Sequence, residues 1–157
     1  DRVRSELKKM SNSFDFVTTL YDFYGFQKKL PDEDKTSLEN RIQEAVHGSV
    51  QQKIVPYIQM YEFEGLLFSC ADSMESQLNE NDVGDWCQKV LNDFDGNPEK
   101  INNSIETAPS KRLERHTGYR KTTHGPNIAR EIGVEKIREK CSGFDNWLSR
   151  LEALVNR

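Results

Sequence analysis

Three acids stand directly behind apolar runs. Asp22 closes Phe16-Val17-Thr18-Thr19-Leu20-Tyr21, and Glu62 and Glu64 follow Ile54-Val55-Pro56-Tyr57-Ile58-Gln59-Met60-Tyr61. Carboxylates gathered at one rim make a hard-cation site, because Mg²⁺ takes oxygen ligands and keeps several waters, so two or three acids suffice. A Mg²⁺ or Mn²⁺ ion held by Asp22, Glu62 and Glu64 could polarise a phosphodiester and activate a water for attack. A second group lies in residues 109–124, where Lys111, Arg112, Arg115, Arg120 and Lys121 are opposed only by Glu114, with His116 and His124 added. Lys111, Arg112, Arg120 and Lys121 could neutralise phosphates and steady developing charge. Tyr119 could stack a base, and His124 could give a proton to a leaving oxygen. Plainer roles stand beside these. Asp22 could cap a turn or helix, Glu62 and Glu64 suit the first turn of a following helix, Tyr119 could be an ordinary half-buried tyrosine, and the basic run could be a solvated face.

The acids do chemistry only if the chain brings them together. Both apolar runs are rich in β-branched and aromatic residues, as buried strands are. A helix-like segment separates them, and strand, helix, strand favours a parallel pair with a right-handed crossover. Asp22 and Glu62 then meet at the carboxyl edge of the sheet, where open α/β sheets bind ligands. Glu62 and Glu64 do not share a helix face, and Glu62 is expected to face the crevice. Pro56 lacks an N–H and belongs at an edge or near its strand's start. Two parallel strands do not make a stable sheet alone, so either a strand upstream of Asp1 or a partner chain is expected to complete it.

The remaining pattern is helical. Residues 2–10 read as a short helix with Val3 and Leu7 on one side. Ser37 can cap a helix to about Val46, with Leu38, Ile42, Ala45 and Val46 inward. Phe63, Leu66 and Leu67 recur at helix spacing, and Trp86, Val90 and Leu91 face inward in an amphipathic stretch over Val83–Phe94. Residues 95–106 read as a polar linker. Pro109 suits the first turn of a short helix, and Pro126 and Gly133 bound another. Ser142 and Asp145 resemble a capping box ahead of an apolar stripe, Phe144, Trp147, Leu148, Leu151 and Val155, read as core packing. The expected fold is α/β: parallel strands with a crossover helix over 1–70, then a helical part over 71–157, together one domain.

Composition bounds the setting. Of 157 residues, 35% are hydrophobic, 31% charged and 10% aromatic, enough aromatic content to argue against disorder. The net charge is −4, but residues 62–106 hold eleven acids against Lys89 and Lys100. Cys70, Cys87 and Cys141 form no C-x-x-C pair, which argues against a zinc or disulfide framework and for a reducing, cytoplasmic setting. No apolar run approaches the roughly 20 residues of a membrane span, and no signal peptide is visible. The first residue is Asp1 rather than Met, so translation is expected to start upstream.

The segments FVTTLYDFYG (16–25), PYIQMYEFEGLLF (56–68), ETAPSKR (106–112), GYRKTTHGP (118–126) and the C-terminal FDNWLSRLEAL resemble a bacterial TOPRIM-like family of small proteins encoded beside ABC-type ATPases in phage-defence cassettes. The resemblance covers nearly the whole chain. It implies a partial TOPRIM-like sheet, a Mg²⁺- or Mn²⁺-dependent nuclease acting on DNA or RNA, and an ABC-type ATPase partner; a homo-oligomer is compatible with it. Asp22 matches the first acid of the family's Asp-x-Asp, while Tyr24 stands at the second, so Glu62 and Glu64 would supply the missing carboxylates. The Glu-Gly turn after the family's first strand has no counterpart here, a departure that bears on catalytic competence. The alternative is a non-catalytic ATPase-associated subunit, docking through the acidic segment, or a nucleic-acid- or nucleotide-binding module.

Overall fold

A computed structural model describes residues 2–155. The elements run α1 (Arg2–Ser11), β1 (Val17–Thr18), β2 (Tyr21–Asp22), α2 (Lys35–Glu44), β3 (Ile54–Val55), β4 (Ile58–Gln59), α3 (Ala71–Leu78), α4 (Val83–Asn92), α5 (Pro109–His116), α6 (His124–Ile132), α7 (Val134–Lys140) and α8 (Ser142–Val155). Short 3₁₀ segments connect them, notably Gly48–Lys53 and Phe63–Ser69. The expected α/β class, with its parallel strands and helical C-terminal half, is what forms.

β1 pairs with β3 and β2 with β4, both parallel, matching Val17 to Ile54, Thr18 to Val55, Tyr21 to Ile58 and Asp22 to Gln59. The register is unchanged across the gap, so these short pieces are one ribbon interrupted at Pro56. Proline has no N–H to give the ladder. The Thr19 hydroxyl fills the break: Oγ1 donates to the Tyr57 carbonyl at 3.1 Å and accepts from the Tyr57 N–H at 3.0 Å. Both partners are buried; without Thr19 the Tyr57 N–H would go unpaired and its carbonyl would keep only the Tyr21 N–H at 3.4 Å.

Side chains alternate across a strand, and here the alternation divides the core. Ile54 and Ile58 join Leu7, Val17, Leu38, Ile42 and Val46 on the side covered by α1 and α2. Tyr57 belongs to the other cluster with Leu66, Leu67, Phe68, Met74, Ile101, Leu113 and Ile128. The sheet is therefore the shared wall of two apolar cores.

α2 does more than cover a face. Lys35, Glu39 and Gln43 recur every fourth residue and so form one stripe. Glu39 accepts from the Ile58 N–H at 2.9 Å, Lys35 donates to the Ile58 carbonyl, and Gln43 donates to the Ile54 carbonyl at 3.3 Å. This stripe pairs backbone groups of β3 and β4 that no strand reaches. On the other flank Phe16 and Leu20 are 42% and 46% exposed.

Three helix-level expectations need correction. Asp34, not Ser37, is the N-cap of α2; Ser37 is its N3 partner in a capping box, accepting from the Asp34 N–H at 2.9 Å. Asp145 does not close a capping box with Ser142, since its carboxylate takes Arg138 at 2.6 Å. The start of α8 is capped instead by Glu99, which accepts from the Gly143 and Phe144 N–H groups at 2.7 and 3.1 Å. The α8 stripe is core only at its beginning. Phe144 is buried and Trp147 stacks on Tyr57 at 4.7 Å, but Val155 is 86% exposed. The Trp147 indole N–H donates to the Thr18 hydroxyl at 2.7 Å, tying α8 to β1.

Thr19→Val keeps the shape and removes the hydroxyl bridge. It is expected to lower unfolding free energy by about 1–3 kcal/mol, the scale of buried polar groups left unpaired. Urea denaturation measures this, and a loss below about 0.5 kcal/mol would show that the ladder does not need the hydroxyl.

Candidate functional site

Asp22 ends β2, and its Oδ1 accepts from the Phe63 N–H at 2.8 Å. That bond fastens the end of one strand to the chain leaving the other, so Asp22 and Glu62 share the carboxyl edge as the parallel reading requires. Burial raises the Asp22 carboxyl above its usual range. The Phe63 bond and Lys121 pull it down, and the charges of Glu64 and Glu62 push it up again. Glu62 is half-buried, and its Oε2 accepts from the Ser110 N–H at 2.9 Å in the first turn of α5, where negative charge is favoured.

Glu64 is entirely buried. The Tyr119 hydroxyl donates to its Oε1 at 3.3 Å, and the Lys121 ammonium lies 3.1 Å from Oε1 and 3.3 Å from Oε2. A buried carboxylate needs such compensation. Burial acts to lower the Lys121 ammonium, but the Glu64 hydrogen bond and the charges of Glu64, Asp22 and Glu62 outweigh it and leave it raised. Lys121 thus feels all three acids. The helix-face argument that set Glu62 apart from Glu64 assumes an α-helix. Residues 63–69 are a 3₁₀ segment, with about three residues per turn, and both acids reach the cluster.

His124 opens α6, and its Nδ1 accepts from the Arg120 N–H at 3.0 Å. In the neutral ring this leaves the proton on Nε2. The His124 and Tyr119 rings lie 6.3 Å apart, so His124 borders the cluster. Gly125 is required there, because a Cβ would come within 2.8 Å of the Tyr119 hydroxyl.

The basic segment disperses. Tyr119 is 5% exposed with its hydroxyl on Glu64, so its ring offers no stacking platform for a base, and burial raises its phenol further. Arg112 donates to the Thr107 carbonyl at 2.7 Å and lies over the Phe94 ring at 5.1 Å. Lys111 pairs with Glu114 at 2.8 Å. Arg120 is exposed. His116, without a partner in the sequence pattern, stacks on Trp86 at 5.0 Å.

Of the three expected cation ligands, Glu64 has both oxygens engaged. Among the described residues no group of three or more His, Cys, Asp and Glu side chains could hold a metal ion. The second oxygens of Asp22 and Glu62 accept no hydrogen bond among the described residues. Two carboxylates suit Mg²⁺, which commonly binds through one or two acids, waters and substrate phosphates.

Sequence reasoning missed Cys70, because its neighbour comes from far along the chain. Lys136 approaches its sulfur at 3.2 Å. Burial raises the thiol, but the Ser73 hydroxyl and amide and Lys136 together lower it. Cys70 is 7% exposed, at the start of α3. No described helix is long and apolar enough to cross a membrane.

A family model described as a domain of unknown function (DUF4276) matches residues 1–152. No curated protein and no solved structure matches the chain.

Because folding raises the Asp22 carboxyl, the stability tied to its protonation is fully present below the usual value of 3.8 and is lost as pH rises through the folded value. Asp22→Asn keeps an oxygen for the Phe63 N–H and removes the desolvated charge. It is expected to melt above the wild type at pH 7, with the difference closing as pH falls toward 3.8. Thermal melts across that window decide the matter; a variant less stable at pH 7 would make Asp22 a structural acceptor first.

Proposed function

The chain belongs to the DUF4276 family, and we propose that it is a metal-dependent phosphodiester hydrolase, a nuclease of TOPRIM-like descent that acts with an ATPase partner in anti-phage defence. The observation that carries this reading is the meeting of Asp22 and Glu62 with Lys121 beyond the carboxyl ends of two parallel strands, the edge at which open α/β sheets bind ligands. A raised carboxyl in such a crevice is a mark of functional sites.

Asp22 and Glu62 would hold a Mg²⁺ or Mn²⁺ ion, which supplies Lewis-acid polarisation of the phosphodiester. Glu64 positions Lys121, whose ammonium balances the acids so that an anionic phosphate can approach. His124, with Nδ1 taken by the Arg120 N–H, presents its Nε2–H to the leaving oxygen as a hydrogen-bond donor to developing charge. Arg120, exposed beside it, meets a neighbouring phosphate. The ATPase would dock on the acidic surface that includes Asp72, Glu75, Asp82 and Asp85, all exposed.

One observation favours a second reading. The Glu64–Lys121 pair is internally neutralised, and the two remaining carboxylates are each tied to a backbone N–H. A non-catalytic ATPase-associated subunit, or a binding module, would need no more.

Cleavage of plasmid DNA and of tRNA with Mg²⁺ or Mn²⁺, by the full-length protein with its ATPase, separates the two. Asp22→Asn and Glu62→Gln keep the backbone acceptors and are expected to lower cleavage by at least about 10²-fold, the scale of a lost catalytic group, with circular dichroism unchanged. Full activity in both variants would remove their assigned roles.

A further inference from the structure

A groove of about 990 Å³ opens beside Asp22. It is bordered by α1, by Leu20 and Tyr21, by the 25–28 loop and by the second half of α2. Its apolar part includes Tyr21 and Phe26, whose half-buried rings meet edge to face at 5.6 Å.

The charges around it are unequal in what they have left to give. Arg2 is held by Glu6 at 2.8 Å, and Arg41 is gripped by both oxygens of Glu33 at 2.6 and 2.8 Å. Arg4 and Lys28 border the same groove with no ion pair among the described residues, as does the acid Glu44 at its α2 end, and all three are exposed. Lys28 has a left-handed backbone, φ 58°, uncommon for a residue with a Cβ. The segment 109–124, by contrast, has spent most of its charge internally, on Glu114, on Glu64 and on the Thr107 carbonyl.

We propose that this groove takes single-stranded nucleic acid, with phosphates on Arg4 and Lys28 and a base against the Tyr21–Phe26 pair, so that the strand runs to Asp22. Uncompensated cations next to half-exposed aromatic rings are what single strands bind, by counterion release and stacking. The delivery to Asp22 rests on the hydrolase reading; the binding does not.

Fluorescence anisotropy with a labelled single strand of about twelve nucleotides, on the full chain in EDTA, tests binding without cleavage. Arg4→Glu/Lys28→Glu is expected to weaken binding at least about ten-fold and to flatten the dependence of log K on log salt by about 1.4 units, about 0.7 for each lost phosphate contact. Phe26→Ala is expected to weaken it with the salt slope unchanged, whereas Lys111→Glu/Arg115→Glu changes affinity less than about two-fold. Circular dichroism confirms that each variant is folded. Unaltered binding by the Arg4/Lys28 variant, loss confined to the Lys111/Arg115 variant, or no binding by the wild type would each overturn the groove. Binding that depends on Arg4 and Lys28, with no cleavage under any divalent cation, would keep the groove and discard the hydrolase. Asp22-dependent cleavage with binding indifferent to Arg4 and Lys28 would do the reverse.

Discussion

A carboxylate with no exposure to water organises the functional end of this molecule. Glu64 is met by a phenol and an ammonium, and both come from the stretch between α5 and α6. The connection pulls that stretch down onto the strand ends. It fixes Tyr119 under the first turn of α6, where Gly125 leaves just enough room, and it carries Lys121 into range of Asp22 and Glu62. Burying such a pair is seldom a net gain in stability over an apolar contact. Its effect is geometric, since removing either partner would leave a charge without compensation.

The second constraint is the ribbon behind it. A constant register across Pro56 means that the strand ends stay level, and the Thr19 hydroxyl preserves that level where the ladder cannot. Ile54 and Ile58 on one face and Tyr57 on the other join two separately packed regions through a single strand. Trp147 reinforces the joint by stacking on Tyr57 and bonding to Thr18. A shift of one residue would exchange the faces and turn Tyr57 into the wrong core.

How much of this the sequence reveals depends on the range of the interaction. The β-branched runs, the crossover helix and the meeting of Asp22 with residues 62–63 were legible because strand pattern and handedness are local rules with few exceptions. The helical boundaries at Pro109 and Gly133 followed from proline and glycine chemistry. The partners of Glu64 were not legible, since 55 and 57 residues separate it from Tyr119 and Lys121, and a 3₁₀ turn defeated the face argument. The α8 cap was misread for the same cause: Glu99 arrives from a distant loop and displaces the nearby candidate Asp145. The basic run looked like one surface because charges were adjacent in sequence, yet Lys111, Arg112, Arg115 and Lys121 each found a different neighbour. The cations bordering the groove carry no sequence signal, because nothing in their local spacing sets them apart.

The stripe of Lys35, Glu39 and Gln43 has a consequence for how these molecules can meet. It seals one flank of the ribbon with side chains, while among the described residues no such stripe of hydrogen bonds meets the flank carrying the exposed Phe16 and Leu20. Open flanks invite strand addition. A ribbon with two of them could polymerise without end; one with a single open side cannot, for the first newcomer consumes it. Strand-to-strand association between copies of this chain would therefore terminate at a pair.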